Sequence, residues 1–157
     1  MRPGHLPQGT LSQGILTGAL AAAATAGALL GFGIQQGTPA RPFNAVASFM
    51  LGDRARGIWG FHPVVTVVGV LVQLALALVW ALLFARLAGG MRGRQLAAMA
   101  LVVALVALAA DVFLASRVAT HGVFDMLAPA QVIALHVVLG AALAVGTPLA
   151  TSYFWSD

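Results

Sequence analysis

The hydrophobic positions of the chain fall into four long runs, and ionisable residues lie almost entirely in the gaps between the runs. Each run supplies the roughly 20 residues that a helix needs to cross about 30 Å of hydrocarbon. The pattern therefore predicts four membrane-spanning helices, over residues 13–34, 62–87, 95–117 and 127–153. We expect an all-α integral membrane protein in which residues 1–157 form a single membrane domain built as a four-helix bundle.

The connection between the first two spans is long for a helical hairpin and carries a helical pattern of its own. Pro42 stands where a helix would begin and Gly52 where it would end. Apolar residues recur on one face and polar residues lie away from it: Phe43, Val46, Ala47 and Met50 against Asn44 and Ser48. The pattern predicts a short interfacial helix over residues 42–52, with an irregular loop folded over the bundle as the alternative.

Composition narrows the class of protein. A chain of 157 residues that is 61% hydrophobic is too apolar for a soluble domain of that size. The net charge of +4 comes from a few scattered arginines, which argues against nucleic acid binding because that needs a clustered basic face. The absence of cysteine excludes disulfides, thiolate-ligated zinc and cysteine-held iron–sulfur clusters.

The arginines also bear on location and orientation. Arginine as the sole basic residue type, with abundant alanine, glycine and valine, is typical of a GC-rich bacterial genome and so of a bacterial inner membrane protein. Four arginines fall on each side of the predicted membrane, so their count does not orient the chain. We give more weight to the short turn that carries Arg86, Arg92 and Arg94, because such turns are typically cytoplasmic. Both termini are then expected in the cytoplasm.

Glycine spacing in the first span indicates close helix packing. Gly14 and Gly18 form one pair at four-residue spacing, and Gly27 and Gly31 form another. Such spacing places glycines on one stripe, where a neighbouring backbone can approach closely. The partner at that stripe can be another helix of this chain, a second copy or a different subunit.

Three polar residues lie deep inside the predicted spans. Asp111 is about 9 Å inside the end of the third helix, and His136 is about 10 Å inside the start of the fourth, from the same membrane face. We expect them to meet, because an imidazole offsets part of the cost of burying a carboxylate. The pair is either a proton-relay or ligand position or a structural pair, and Gln73 is expected to hydrogen-bond a neighbouring helix.

The sequence predicts no catalytic, cofactor or metal site. The histidines lie at unequal depths, which is unsuitable for axial ligation of haem, and no carboxylate cluster accompanies them. Polar and aromatic residues of the two loops on one side form the candidate face for a partner: Asp53, Arg54, Arg56, Trp59, His62, His121 and Asp125. Interfacial loops of any membrane protein carry such residues, so a purely structural role is the alternative.

Three features resemble a family of small four-helix bacterial inner-membrane proteins. These are the segment NAVASFMLG at residues 44–52, His62 at the start of the second span, and the lone His136 in the fourth. The resemblance covers residues 14–148, and it implies the four-helix fold without implying an activity. Members often have a histidine where this chain has Gln73, and that departure weakens the idea of a histidine pair between the second and fourth spans.

Together these features predict a component rather than an enzyme. We expect a non-catalytic accessory or structural subunit of a larger inner-membrane complex, such as a respiratory or photosynthetic electron-transfer complex. The alternative is a small homo-oligomeric transporter or proton-conducting channel lined by Asp111, His136 and Gln73. The expected partners are membrane lipids and other integral membrane subunits. We expect no nucleic acid, identify no small-molecule substrate and expect no cofactor, although a bound lipid is compatible with the sequence.

Overall fold

The computed structural model of this chain describes residues 8–117 and 126–154. Within that part the fold is all helical and has five helices: α1 Gln8–Gln35, α2 Arg41–Leu51, α3 Pro63–Leu87, α4 Gly93–Arg117 and α5 Pro129–Phe154. The four long helices are long and apolar enough to cross a membrane. The chain is therefore a multi-pass membrane protein, and the predicted bundle with a short helix between its first two spans is confirmed.

Local sequence signals explain where α3 begins and how the following turn is made. His62 precedes Pro63, and the His62 Nδ1 accepts a hydrogen bond from the backbone N–H of Val65 at 3.4 Å, which caps α3. The turn after α3 contains Gly90 and Gly93, whose φ angles of 79° and 52° lie in the left-handed region that favours glycine. The chain can therefore reverse direction within a few residues.

Helix α1 occupies the middle of the bundle, packed between α3 and α5. Small residues allow this close approach. A Cβ atom added at Gly14 would lie 2.8 Å from Leu82 Cδ2, and one added at Gly18 would lie 2.7 Å from Leu78 Cδ1. On the other side, a Cβ at Gly146 of α5 would lie 3.1 Å from Thr17 Cγ2. The second glycine pair differs, because no atom lies within 4 Å of a Cβ built at Gly27 or Gly31.

Helices α3 and α4 follow each other through the short turn yet make few direct contacts. The main neighbour of α4 is α5, whose Gly140 approaches Ala104: a Cβ at Gly140 would lie 3.1 Å from the Ala104 Cβ. Beyond the turn itself, α3 and α4 therefore share little contact surface. A crevice lined by residues of α1, α3, α4 and α5 lies at the turn end of the bundle.

Helix α2 packs along the first turns of α3. A Cβ at Gly69 would overlap the carbonyl oxygen of Phe43, so the two backbones are in contact at this point. The predicted apolar face of α2 is only partly confirmed. Phe43, Val46 and Ala47 are buried as expected, but Met50 is 73% exposed. Asn44 and Ser48, expected away from that face, are also buried, at 0% and 2% exposure. The reason is that the Asn44 side chain is fully hydrogen-bonded inside the fold, while Met50 projects outward, where a bilayer tolerates an apolar side chain.

Candidate functional site

Each of the four long helices contributes one polar side chain to an interior group that we call the polar cluster: Thr25, Gln73, Asp111 and His136. Gln73 Nε2 donates a hydrogen bond to Thr25 Oγ1 at 3.1 Å, which joins α3 to α1. The Thr25 hydroxyl in turn donates to the carbonyl oxygen of Ala21 at 2.8 Å. His136 Nε2 lies 3.3 Å from Asp111 Oδ2, which joins α5 to α4.

The hydrogen bonds of His136 restrict the protonation states of the pair. His136 Nδ1 lies 2.9 Å from the carbonyl oxygen of Val132, which can only accept, so Nδ1 carries a proton. Nε2 then either donates to an ionised Asp111 or accepts from a protonated Asp111. The pair is neutral overall in both states, with one proton shared between imidazole and carboxyl. A neutral pair is the form that hydrocarbon surroundings favour.

Two small cavities adjoin the cluster. One of about 50 Å³ is lined by Thr25, Gln73, Asp111 and His136 together with apolar residues. The other, of about 40 Å³, is again lined by Gln73 and Asp111, and Phe49 of α2 forms part of its wall. Each exceeds the ~15 Å³ that one water molecule needs, and each offers polar partners. The Asp111 side chain is 33% exposed while that of His136 is 7% exposed, so the carboxylate is the accessible end of the pair.

Toward the turn end the polar cluster is followed by a dry core. His136 and Thr147 are eleven residues apart on α5, a rise of about 16 Å. The core between them contains fully buried Phe84 and Leu143. The Thr17 hydroxyl is buried in this part of the bundle without a hydrogen-bond partner. Within the described residues, therefore, no run of hydrogen-bonded side chains leads from Asp111 to that end.

The residues of the predicted partner-facing loops divide into different roles. Asp53 Oδ1 and Arg56 Nε lie 3.7 Å apart in a partly exposed ion pair, and Arg54 is exposed. Trp59 is 59% exposed, and the Arg41 guanidinium lies 3.6 Å from the centroid of its ring. His62 serves as the cap of α3 rather than as a free ligand.

The structure does not bring all of the predicted site residues together. His121 and Asp125 lie outside the described residues, and His62 is not part of the polar cluster. Among the residues that the structure describes, no group of three or more His, Cys, Asp or Glu side chains is placed to hold a metal ion.

Sequence reasoning missed two buried polar residues: Thr25 in the polar cluster, and Asn44 at the loop between α2 and α3. Thr25 lies ten residues before the end of α1 and Gln73 ten residues after the start of α3, so depth matching in antiparallel helices would have paired them. Asn44 was missed because its partners are loop carbonyls: its Nδ2 donates to Ile58 O at 2.8 Å and to Gly60 O at 2.9 Å. Helical periodicity indicates which face of a helix is apolar, and it does not predict hydrogen bonds from a side chain to loop carbonyls.

The fold and the polar cluster together define the class as a helical membrane bundle with four spans and one small polar cluster inside an apolar core. No protein-family model, curated protein or solved structure matches the chain.

Proposed function

We propose that this chain is a non-catalytic accessory subunit of a larger bacterial inner-membrane complex, with an electron-transfer complex as the class of assembly to test first. The observation that carries the proposal is a groove of about 280 Å³ between α4 and α5 on the outer side of the bundle. Its lining includes the small residues Ala100, Ala104 and Gly140, and its wide rim includes Leu101 and Val137, which are 59% and 62% exposed.

The concave shape of this groove supports the proposal that a helix of another subunit packs against it. An apolar outer face is expected of any membrane helix, because lipid tails are as apolar as leucine. Small residues between larger ones, however, create a concave surface against which a second helix can pack closely, and such packing drives helix association in bilayers. We take the partner to be a membrane helix of another subunit that presents bulky apolar side chains to the groove.

A matched pair of variants tests this proposal. Ala141 is exposed and lines the groove, whereas Ala75 is exposed on α3 and lines no described cavity. After solubilisation in a mild detergent, a specific membrane subunit should copurify with wild type and with Ala75→Trp but be lost from Ala141→Trp. Recovery of wild type only as a lone monomer or homodimer would count against the accessory role.

The polar cluster favours a second candidate, a homo-oligomeric proton channel or transporter lined by Asp111, His136 and Gln73. Its support is the contact between His136 Nε2 and Asp111 Oδ2 beside cavities large enough for water. Its weakness is the dry core around Phe84 and Leu143, which separates the cluster from the turn end within one bundle. A conducting path would therefore need an interface between copies.

Proton flux into proteoliposomes distinguishes the two candidates. Under the channel proposal, Asp111→Asn should abolish a flux that wild type shows, because the amide cannot exchange the proton. Equal flux in both proteins, or none in either, would leave the cluster with a structural role.

The proposed orientation places the turn with Arg86, Arg92 and Arg94 in the cytoplasm. Reporter fusions in the turn after α3 and in the loop before α3 test it. The expected result is a cytoplasmic signal from the former and a periplasmic signal from the latter. The reverse pattern would reject the orientation and leave the fold unaffected.

A further inference from the structure

A large open cavity lies at the turn end of the bundle, lined by residues of α1, α3, α4 and α5. It has a volume of about 700 Å³ and is open to the surroundings. Its apolar walls include Ala85, Ala88, Leu96 and Pro148. We call it the turn crevice. It does not belong to the polar cluster, because the core around Phe84 and Leu143 lies between the two.

Positive charge is concentrated in and beside the turn that borders the turn crevice. Arg92 lines it, while Arg86 lies in the last turn of α3 and Arg94 in the first turn of α4. All three arginines are exposed. The acidic residues that the structure describes, Asp53 and Asp111, lie toward the other end of the bundle, so no described carboxylate neutralises this rim.

The start of α4 adds to the positive potential. The first turn of a helix has backbone N–H groups without intrahelical partners, and it favours anions. Here that turn begins at Gly93, which lines the turn crevice together with Leu96. The deeper wall contains Gln13, whose Nε2 donates to the Thr147 carbonyl oxygen at 3.4 Å. An anionic group is thus favoured at the rim, while the apolar walls favour a hydrocarbon chain.

We propose that the turn crevice binds an anionic phospholipid, with its phosphate at Arg92 and one acyl chain against the apolar wall. Basic pockets between membrane helices are known to hold anionic headgroups. The charge of the rim selects an anionic over a zwitterionic headgroup. The crevice holds the acyl chain of the lipid as well as its phosphate. The site is therefore specific for a phospholipid, which the charged rim alone would not be.

Native mass spectrometry of the full chain, released from nanodiscs with equal phosphatidylglycerol and phosphatidylethanolamine, tests the proposal. Wild type should retain phosphatidylglycerol in preference to phosphatidylethanolamine. Replacing Arg86, Arg92 and Arg94 by glutamine should lower that preference by about fivefold for each arginine removed. Arg92→Lys, which keeps the charge, should retain most of it.

Two further variants separate the site from general surface charge. Arg54→Gln removes another exposed charge, at the other end of the bundle, and should leave the preference unchanged. Pro148→Phe places a larger side chain at the crevice wall and should reduce retention while all arginines remain. The proposal is overturned if Arg54→Gln lowers the preference as much as Arg92→Gln, if Pro148→Phe has no effect, or if wild type shows no preference.

Discussion

Replacing Asn44 by alanine should release the loop between α2 and α3 from the bundle. The Asn44 side chain is fully buried, and its Nδ2 group donates to the carbonyl oxygens of Ile58 at 2.8 Å and Gly60 at 2.9 Å. Its Oδ1 accepts from the Thr66 hydroxyl at 2.7 Å, which ties α2 to α3. One amide therefore fixes the loop and helps to dock the helix.

The expected magnitude follows from the bonds that the loop loses when it opens. Opening the loop breaks the bonds to Ile58 and Gly60 in wild type, whereas in Asn44→Ala these bonds are already absent from the closed state. At about 1 kcal/mol net for each hydrogen bond, opening becomes easier by about 2 kcal/mol. Since 1.4 kcal/mol is a factor of ten, the open population should rise by about 30-fold.

Limited trypsin digestion measures this population, because Arg54 and Arg56 lie in the loop and cleavage tracks the open form when reclosing is fast. The matched control is Ser48→Ala. Ser48 is also buried on α2, but its hydroxyl donates only to Ala45 O of the same helix, at 2.6 Å, so its removal should leave cleavage nearly unchanged. A cleavage rate in Asn44→Ala within about threefold of wild type would refute the reasoning, since two buried bonds are worth more than that.

Three further predictions concern helix packing. Gly18→Val should lower the free energy of unfolding by about 1–3 kcal/mol by overpacking against α3, whereas Gly27→Val should have little effect. Thermal unfolding in detergent compares the two variants, and equal losses of stability would contradict the packing of α1 described above. Gly69→Ala should displace α2, because the added Cβ meets the Phe43 backbone. The expected result is faster amide hydrogen exchange confined to α2, and unchanged exchange there would contradict it. Gln73→Leu should cost only about 0.6 kcal/mol, typical of a hydrogen bond between membrane helices, so a loss above about 2 kcal/mol would show that the whole polar cluster depends on Gln73.

The sequence predicted the spans well because length and apolar character are decided locally. The proposed ranges differ from the observed helices by a few residues, most at α1, which begins at Gln8 rather than near residue 13. The depth of polar residues in the membrane could also be predicted. Counting residues from Arg117 and from Pro129 placed Asp111 and His136 at similar depth, and their side chains do meet. Counting works there because a helix rises by a fixed amount per residue.

The sequence did not reveal which helix packs against which, and so it did not show which faces of the helices are buried. The two glycine pairs of α1 look alike in sequence, yet only Gly14 and Gly18 face α3. Likewise, the short turn after α3 does not reveal that α4 contacts α5 much more than it contacts α3. In a bilayer every outer face is apolar, so periodicity no longer marks the buried side of a helix as it does in water.

The central position of α1 has a consequence for how the bundle is made. Of the four spans, α1 is the least hydrophobic, and its two main neighbours are α3 and α5. The α1–α5 interface joins the first and last of these helices, so it can form only after α5 has been synthesised. Until then, Thr17 of α1 lacks the neighbouring Gly146 of α5 beside which it is buried in the finished bundle. Assembly of this membrane domain is therefore completed only once α5 has been synthesised, because α1 packs against it.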